Sequence, residues 1–589
     1  MLKRGLTLVL AGIGALTVIG ALLIAGFIFF ALLFGRGPSV PSNAMLVLEV
    51  GGNLTENAPT DVVTYLQGGR TPTVRSVVDT LRRAKTDRHV SAVFLKPTGF
   101  ASPYWGKVQE IRDAVIDFRS SGKPVYAYLE NADERNYYLA TAADRIFLMP
   151  TTTLDVRGVA TYALFLRGTF DKIGVVPDMH HIGQYKTAVN TYTEKTYTPA
   201  HKEMDEALNR DLFEQIVRGM AQARKKTDAE VRALIDDGPF LADEAFKAGL
   251  VDELAYEDQA RDRLKHLGKT TLTEVDGAQY AHMPSLGFTH GERIAVIYAS
   301  GAIVNGDGGF DPLNGETLGS DALIEAIRTA SKDQSVKAIV LRIDSPGGSA
   351  TASDAIWREL TRARDAKPER PLIVSMSDLA ASGGYYIAMP GQVIVAQPST
   401  LTGSIGIFGG KLVTGGVYEK LGAHIESTSI GRNAEMESPV RPFNESELRE
   451  VEGQLRAFYD GFVTKAAASR HMTPEKLDSL AQGRVWTGQQ ARAVGLVDEL
   501  GGLDRAVAIA KERAKIDSKA EVELVAYPRA KGFFELVTDR FSGASASAVN
   551  AWMTSTLSSE ELSALRTLRA ANLYRRGEAL ALMPFVYVR

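Results

Sequence analysis

Ser382 has the clearest chemical potential in the chain. It sits in Asp378-Leu-Ala-Ala-Ser-Gly-Gly-Tyr-Tyr386. The apolar run Pro371-Leu-Ile-Val374 before it reads as a buried strand, and Tyr385-Tyr386-Ile387-Ala388-Met389 after it reads as the start of a helix. A strand-to-helix turn made of a small residue, a serine and two glycines can present a hydroxyl to a substrate carbonyl. The glycines allow close backbone approach and place amides beside the serine, where a helix N-terminus favours negative charge. This is the chemistry of acyl transfer. Taken alone, the same Ser-Gly-Gly would also serve as a plain helix N-cap, so the choice rests on the remainder of the chain.

A serine needs a base to attack a carbonyl at neutral pH. None of the nine histidines lies in an obvious motif, and the pair His180-His181 is the best placed of them. Close after that pair comes Ile182-Gly-Gln-Tyr-Lys-Thr-Ala188. Lys186 can act as the base if burial lowers its pKa, because desolvation disfavours the ammonium. Its flanks Tyr185, Thr187, Ala188 and Val189 permit burial, although most lysines are exposed. Asp344-Ser-Pro-Gly-Gly-Ser349 follows the strand-like Ala338-Ile-Val-Leu-Arg-Ile343. The Gly347 and Gly348 amides there, with that of Gly383, can face an oxyanion. The alternative is a plain turn; a phosphate loop is excluded because no Gly-Lys-Ser/Thr follows. Ser404, in Pro398-Ser-Thr-Leu-Thr-Gly-Ser-Ile-Gly406, can hydrogen-bond an amine or be a simple turn serine.

The elements that must position these residues occur twice. Met45-Leu-Val-Leu-Glu-Val50 recurs as Ile294-Ala-Val-Ile-Tyr298, and the helical stretch from Val74 to Ala84 as Leu323 to Ala330. The strand Ser91-Ala-Val-Phe-Leu95 recurs as Lys337-Ala-Ile-Val-Leu341, and Pro124-Val-Tyr-Ala-Tyr128 as Pro371-Leu-Ile-Val-Ser375. Tyr137-Tyr138 and Tyr385-Tyr386 lie 248 positions apart, while Gly249-Leu-Val-Asp-Glu-Leu254 and Gly495-Leu-Val-Asp-Glu-Leu500 lie 246 apart. Short β-branched strands alternating with helical periodicity predict βα units around mainly parallel strands in each half. The halves are placed at residues 45–285 and 286–530. On this spacing Ser382 falls on Glu134, Gly383 on Arg135, and Lys186 on Ala434. Each half holds one polar residue that the other lacks, which predicts a single composite site where the halves face each other.

The chain has 589 residues, 45% hydrophobic and 23% charged, which describes a globular protein long enough for several domains. A formal net charge of −3 with no long basic run gives no sign of nucleic acid binding, and the absence of cysteine excludes thiolate catalysis and cysteine-ligated metals. Lys3 and Arg4 precede an uncharged stretch from Gly5 to Phe34, longer than the roughly 20 residues of a membrane span. With no convincing cleavage site near Arg36-Gly-Pro-Ser, residues 5–34 read as a retained signal anchor. The charge bias holds the short N-terminus in the cytoplasm and places the bulk across the membrane, in a bacterial periplasm or its equivalent. Residues 1–44 are thus anchor and linker. The tail 531–589, with an amphipathic stretch around Ser559 to Leu573, reads as a packing or oligomer-contact element.

Four motifs taken together resemble the long, duplicated bacterial signal peptide peptidase (protease IV) family: Gly183-Gln-Tyr-Lys-Thr-Ala188, Asp344-Ser-Pro-Gly-Gly348, Ala381-Ser-Gly-Gly-Tyr-Tyr386 and Ser399-Thr-Leu-Thr-Gly-Ser-Ile-Gly406. The resemblance covers nearly the whole chain. It implies an α/β fold of two tandem Clp-protease/crotonase-like domains behind one N-terminal transmembrane helix, and a Ser/Lys-dyad endopeptidase without cofactor or metal. It further implies a single-pass protein of the inner membrane with a periplasmic catalytic part, acting on cleaved signal peptides and assembled as a homotetramer. Carried over, Ser382 is the nucleophile, Lys186 the general base, Ser404 the residue that orients the lysine, and Gly383 with Gly347 and Gly348 the oxyanion hole. A crotonase-like enzyme acting on an acyl-coenzyme A, and a non-catalytic membrane scaffold, are the rival readings.

Overall fold

The computed structural model describes residues 20, 40–56, 73–268, 270–283, 291–311, 315–528, 574, 577–584 and 586–588. The expected anchor (apart from Gly20) and the amphipathic stretch of the tail lie outside the described residues. Among the described residues no helix is long and apolar enough to cross a membrane.

The chain is a mixed α/β protein built from two copies of one unit. In the first, six parallel strands run in the spatial order Glu253–Leu254, Arg145–Leu148, Val125–Leu129, Val90–Phe100, Ala44–Gly52, Thr273–Asp276. In the second the order is Glu499–Leu500, Val393–Ala396, Leu372–Ala381, Val336–Ser345, Glu292–Ser300, Val522–Tyr527, again parallel. Strand for strand, the two lists correspond. Parallel strands covered on both faces become near-continuous apolar runs, and all ten residues of Leu372–Ala381 are buried. The helices are amphipathic at the expected spacing. Val74–Thr86 buries Val74, Val77, Val78, Leu81 and Ala84 and starts from a Thr73–Ser76 capping box. Its counterpart Ser320–Lys332 buries Leu323, Ala326, Ile327 and Ala330.

Polar details repeat as well. Tyr137 donates its hydroxyl hydrogen to the Leu250 carbonyl at 2.7 Å, and Tyr385 does the same to Leu496 at 2.8 Å. Arg224 pairs with Asp252, which accepts from Ile146 N–H; Arg470 pairs with Asp498, which accepts from Ile394 N–H.

The halves are not independent beads. Val176–Ile182, from the first half, leaves its own sheet and pairs antiparallel with Ile407–Val413 of the second, from Ile182 opposite Ile407 to Val176 opposite Val413. These strands belong to a seven-stranded sheet that also holds Gly308–Asp311, Gly315–Gly319, Ala302–Val304, Gly347–Ser349 and, from the tail, Leu580–Leu582. The boundary near residue 285 therefore divides the repeats in sequence, while in space strands cross it. The tail beyond residue 531 contributes a strand to the interior of a sheet.

Buried ion pairs fix how the halves dock. Arg342 is 1% exposed and reaches Glu56 at 2.7 Å and Glu110 at 2.6 Å, both in the first half. In return, Lys107 of the first half reaches Asp344 at 2.7 Å, and its backbone N–H donates to Asp378 at 2.9 Å. A misdocked pair of halves would leave these charges buried and unmatched, at a cost of several kcal/mol, so the network specifies one orientation. Asp344 and Asp378 open the two motifs that carry Gly347-Gly348 and Ser382, and the docking contacts therefore reach into the site.

Candidate active site

Ser382 follows the last residue of the buried strand Leu372–Ala381 and precedes the helix Gly383–Ala388. Its backbone has φ 53° and ψ −110°, a conformation that costs a non-glycine residue about 1–3 kcal/mol. The turn is held from both sides: Ser382 N–H donates to the Gly403 carbonyl at 2.7 Å, and Tyr386 N–H donates to the Ser382 carbonyl at 2.8 Å. Although Ser382 occupies the N-cap position, its side chain caps nothing. Instead its Oγ lies 2.8 Å from Nζ of Lys186.

Lys186 arrives from the other half, just beyond the strand that crosses over. It is 0% exposed, as are Ser382 and Ser404. Nζ donates to both the Ser404 carbonyl and Ser404 Oγ, each at 3.2 Å. Burial alone pushes the Lys186 ammonium well below the ordinary lysine range. Without a carboxylate to offset desolvation the neutral amine is favoured. A neutral amine has two N–H groups and one lone pair. With the N–H groups directed at Ser404, the lone pair faces the Ser382 hydroxyl, the geometry of a base beside its nucleophile. Neither histidine of the pair competes for this position. The His180 ring meets Asp178 at 3.1 Å, and His181 meets the Gly183 carbonyl at 3.1 Å.

Lys186 rests in a cradle of two glycines, Gly406 at the end of the Ser404 motif and Gly483, which lies outside every motif. A Cβ added to Gly483, whose φ is +80°, would lie 2.4 Å from Lys186 N and 2.5 Å from its Cα, and one added to Gly406 would lie 3.1 Å from Lys186 Cδ. Tyr185 N–H is bound to the Gln482 carbonyl at 2.7 Å, and Ser404 N–H to that of Arg484 at 2.7 Å. Gly483→Ala is expected to shift Lys186 and lower kcat for any reaction the pair performs by about 100-fold, as misplacements near 1 Å do. The control Gly461→Ala sits on the helix Glu445–Ser469 with open space around it. It should keep full activity with equal or greater stability. Equal kcat in the two folded variants would remove the cradle from the site.

The three glycines are placed unequally. Gly383 and the Gly347 turn adjoin, since a Cβ on Gly347 would lie 2.6 Å from Gly383 N. The Gly347 amide already donates to Ser345 Oγ at 3.2 Å. That leaves Gly348 as the amide of this turn not held by Ser345, and Gly383 as the amide that directly follows the serine.

At the corresponding turn of the first half, Glu134 accepts from the Arg157 and Gly158 amides. Burial raises its carboxyl to about 7 against those two backbone bonds. Ala434, the counterpart of Lys186, is exposed in a loop where Ile430 is 100% exposed and Leu421 76%. Serine and lysine thus meet once among the described residues, across the two halves.

Two stretches of the chain, residues 117–271 and 364–517, match peptidase family S49. They recur at the spacing of the internal repeat. The chain is 38% identical over 460 residues to the chloroplastic serine protease SPPA of Arabidopsis thaliana, covering 76% of this chain and 66% of that protein, just under two thirds. It is 37% identical over 451 residues to Protease 4 of Salmonella typhi, covering 75% of this chain and 72% of the relative. With Protease 4 of Haemophilus influenzae the identity is 29% over 522 residues, or 82% of each chain.

Proposed function

The chain belongs to peptidase family S49 and is a serine peptidase, and we propose that it is a membrane-anchored endopeptidase whose chemistry is done by Ser382 and Lys186. The observation that carries this reading is the 2.8 Å approach of Lys186 Nζ to Ser382 Oγ in a fully buried setting. Neutral Lys186 takes the Ser382 proton as Oγ attacks the substrate carbonyl. The amides of Gly383 and Gly348 receive the developing oxyanion. Lys186 then protonates the leaving amine, and water hydrolyses the acyl-enzyme. Ser404 acts as the positioning residue that aims the amine.

The wider proposal is that the repeats are Clp-protease/crotonase-like domains, that residues 5–34 anchor the chain in the bacterial inner membrane, and that the catalytic part, on the periplasmic side, degrades cleaved signal peptides. The uncharged stretch Gly5–Phe34 supports the anchor, and such an anchor brings the site to substrates that themselves partition into the bilayer. A homotetramer is supported by the exposed loop carrying Leu421, Ile425 and Ile430. This loop corresponds to the first-half segment that docks on the second half, and it offers an apolar face for a neighbouring copy.

The reading is tested by incubating the full chain in detergent with a fluorophosphonate and with a peptide aldehyde, followed by peptide mapping. Covalent modification confined to Ser382, and competed by a synthetic signal peptide, is the expected result. A folded protein that is unmodified, or modified elsewhere, overturns the assignment.

A further inference from the structure

Gln482-Gly483-Arg484 is a clasp between the two loops that meet at the Lys186 amine. The Gln482 carbonyl accepts from Tyr185 N–H at 2.7 Å, Gly483 N–H donates to the Ile405 carbonyl at 2.8 Å, and the Arg484 carbonyl accepts from Ser404 N–H at 2.7 Å. One tripeptide thus sets the backbone beside the base against the backbone of the residue that orients it. A Cβ on Gly183, three residues before Lys186, would lie 2.5 Å from the Gln482 carbonyl carbon, so the first of these contacts is close-packed. Gln482 makes it with φ +52°, in the left-handed region that a residue with a side chain enters only at a cost. Its conformation therefore has to be held from elsewhere.

A buried phenol does this. Tyr459, on the helix Glu445–Ser469, is 2% exposed. Its Oη donates to Asp478 Oδ1 at 2.5 Å and accepts from Gln482 N–H at 3.3 Å and from Gln482 Nε2 at 3.0 Å. Gln482 Nε2 also donates to Asp478 Oδ1 at 2.8 Å. A phenol has one O–H to give and lone pairs to receive, so this hydroxyl is fully used. Asp478 comes from the next helix, Pro474–Leu480, which ends two residues before the clasp. The repeat supplies an independent comparison. At the 246-residue spacing Tyr459 falls on Phe213, Asp478 on Arg232 and Gln482 on Asp236. There Arg232 lies over the Phe213 ring at 5.6 Å and pairs with Glu214, and the hydroxyl has no equivalent. The hub is present in the half that seats the lysine and missing from the other.

We propose that Tyr459, Asp478 and Gln482 form a positioning hub for the peptidase reaction, which holds the Gln482-Gly483-Arg484 clasp and through it aims Lys186 at Ser382. This rests on the peptidase reading given above. The three residues act through the clasp and not on the reacting atoms. Burial and the Asp478 carboxylate hold the Tyr459 hydroxyl above the ordinary phenol range, so it stays a donor while Lys186 titrates. Loss of that hydroxyl lets the strained Gln482 backbone relax, which moves the seat of Lys186 and admits water to the amine.

Tyr459→Phe in the full chain removes only the hydroxyl. Its control is Tyr137→Phe, which removes another buried hydroxyl, one that donates to a carbonyl at 2.7 Å in the first half. Both variants are expected to melt below wild type. In Tyr459→Phe, kcat for an added apolar peptide should fall about tenfold at unchanged KM. The midpoint of its kcat/KM pH profile should move up toward the free-lysine value as the amine gains water. Tyr137→Phe should keep the wild-type kcat and midpoint. Gln482→Gly, which enters φ +52° without strain, should lose less activity than Gln482→Ala. A Tyr459→Phe chain with wild-type kcat, or with a lower kcat and an unmoved midpoint, overturns the inference and leaves the peptidase reading standing. So does a midpoint that moves equally in Tyr137→Phe. Equal activity of the two Gln482 variants overturns it as well, and that comparison stands even where Tyr459→Phe does not fold. Wild type that fails to hydrolyse the peptide overturns both readings.

Discussion

Lys186→Met is expected to lower kcat for peptide hydrolysis by about 10³-fold or more, and Ser382→Ala by at least as much, in chains that remain folded. Methionine approximates the length and volume of the lysine stem and removes the amine that lies 2.8 Å from Ser382 Oγ. The two losses should not add, because a nucleophile and its base act as a unit. Folding should move the other way. Burial holds the native Lys186 pKa well below its unfolded value. Between those two values the unfolded chain binds more protons than the native one, so wild-type stability rises with pH through that window. Below it the native lysine is protonated as well, and the full cost of burying its ammonium is present. The methionine variant lacks this cost and should melt at a higher temperature at neutral pH. Calorimetry and peptide turnover on the same preparation check both statements. Retained turnover in a folded Lys186→Met chain would return the base to another residue.

The pH dependence has the next largest effect. A protonated Lys186 has no lone pair for Ser382, so kcat/KM should fall about tenfold for each pH unit below the lysine pKa and level off above it. Because burial lowers that pKa, the midpoint should lie well below the free-lysine value of about 10.4. A limb centred near the free value would contradict a neutral buried amine. A raised carboxyl can imitate the effect, and that of Glu134, at the equivalent turn of the first half, is raised to about 7. Glu134→Gln should leave the kcat/KM profile unchanged, and a profile that moves with it would assign the limb to the wrong half.

Much of this was legible in the sequence. Conspicuous small-residue motifs mark the turns at Ser382 and Gly347-Gly348, and the constant spacing of Tyr137-Tyr138 against Tyr385-Tyr386 exposes the repeat. The substitutions Glu134 for serine and Ala434 for lysine implied a composite site, and the fold brings Lys186 and Ser382 together across the halves. What stayed hidden depends on distant backbone. Gly483 lies in an unremarkable Gln-Gly-Arg, and only the packed Lys186 backbone explains why a side chain is excluded there. The Gly347 amide looks as available as that of Gly348 until the Ser345 hydroxyl, two residues before it, is seen to occupy it. The strand Leu580–Leu582 carries no period-2 signal strong enough to separate it from any short apolar run. Its partners lie more than two hundred residues away or on the crossed-over sheet. Nothing in the sequence marks Arg342 and Lys107 as partners of buried carboxylates, because each finds them only once the halves dock.

The crossing of Lys186 into the second half also bears on the order in which the protein is made. Synthesis delivers the base first and the nucleophile long afterwards, and the cradle glycine Gly483 emerges later still. A ribosome-bound or prematurely terminated chain that stops anywhere before Gly483 holds a lysine with nothing to activate, or a serine whose activator has no seat. On the proposed mechanism, hydrolytic capacity arises only once Gly483 has been made and both halves have docked through the Arg342 and Lys107 contacts.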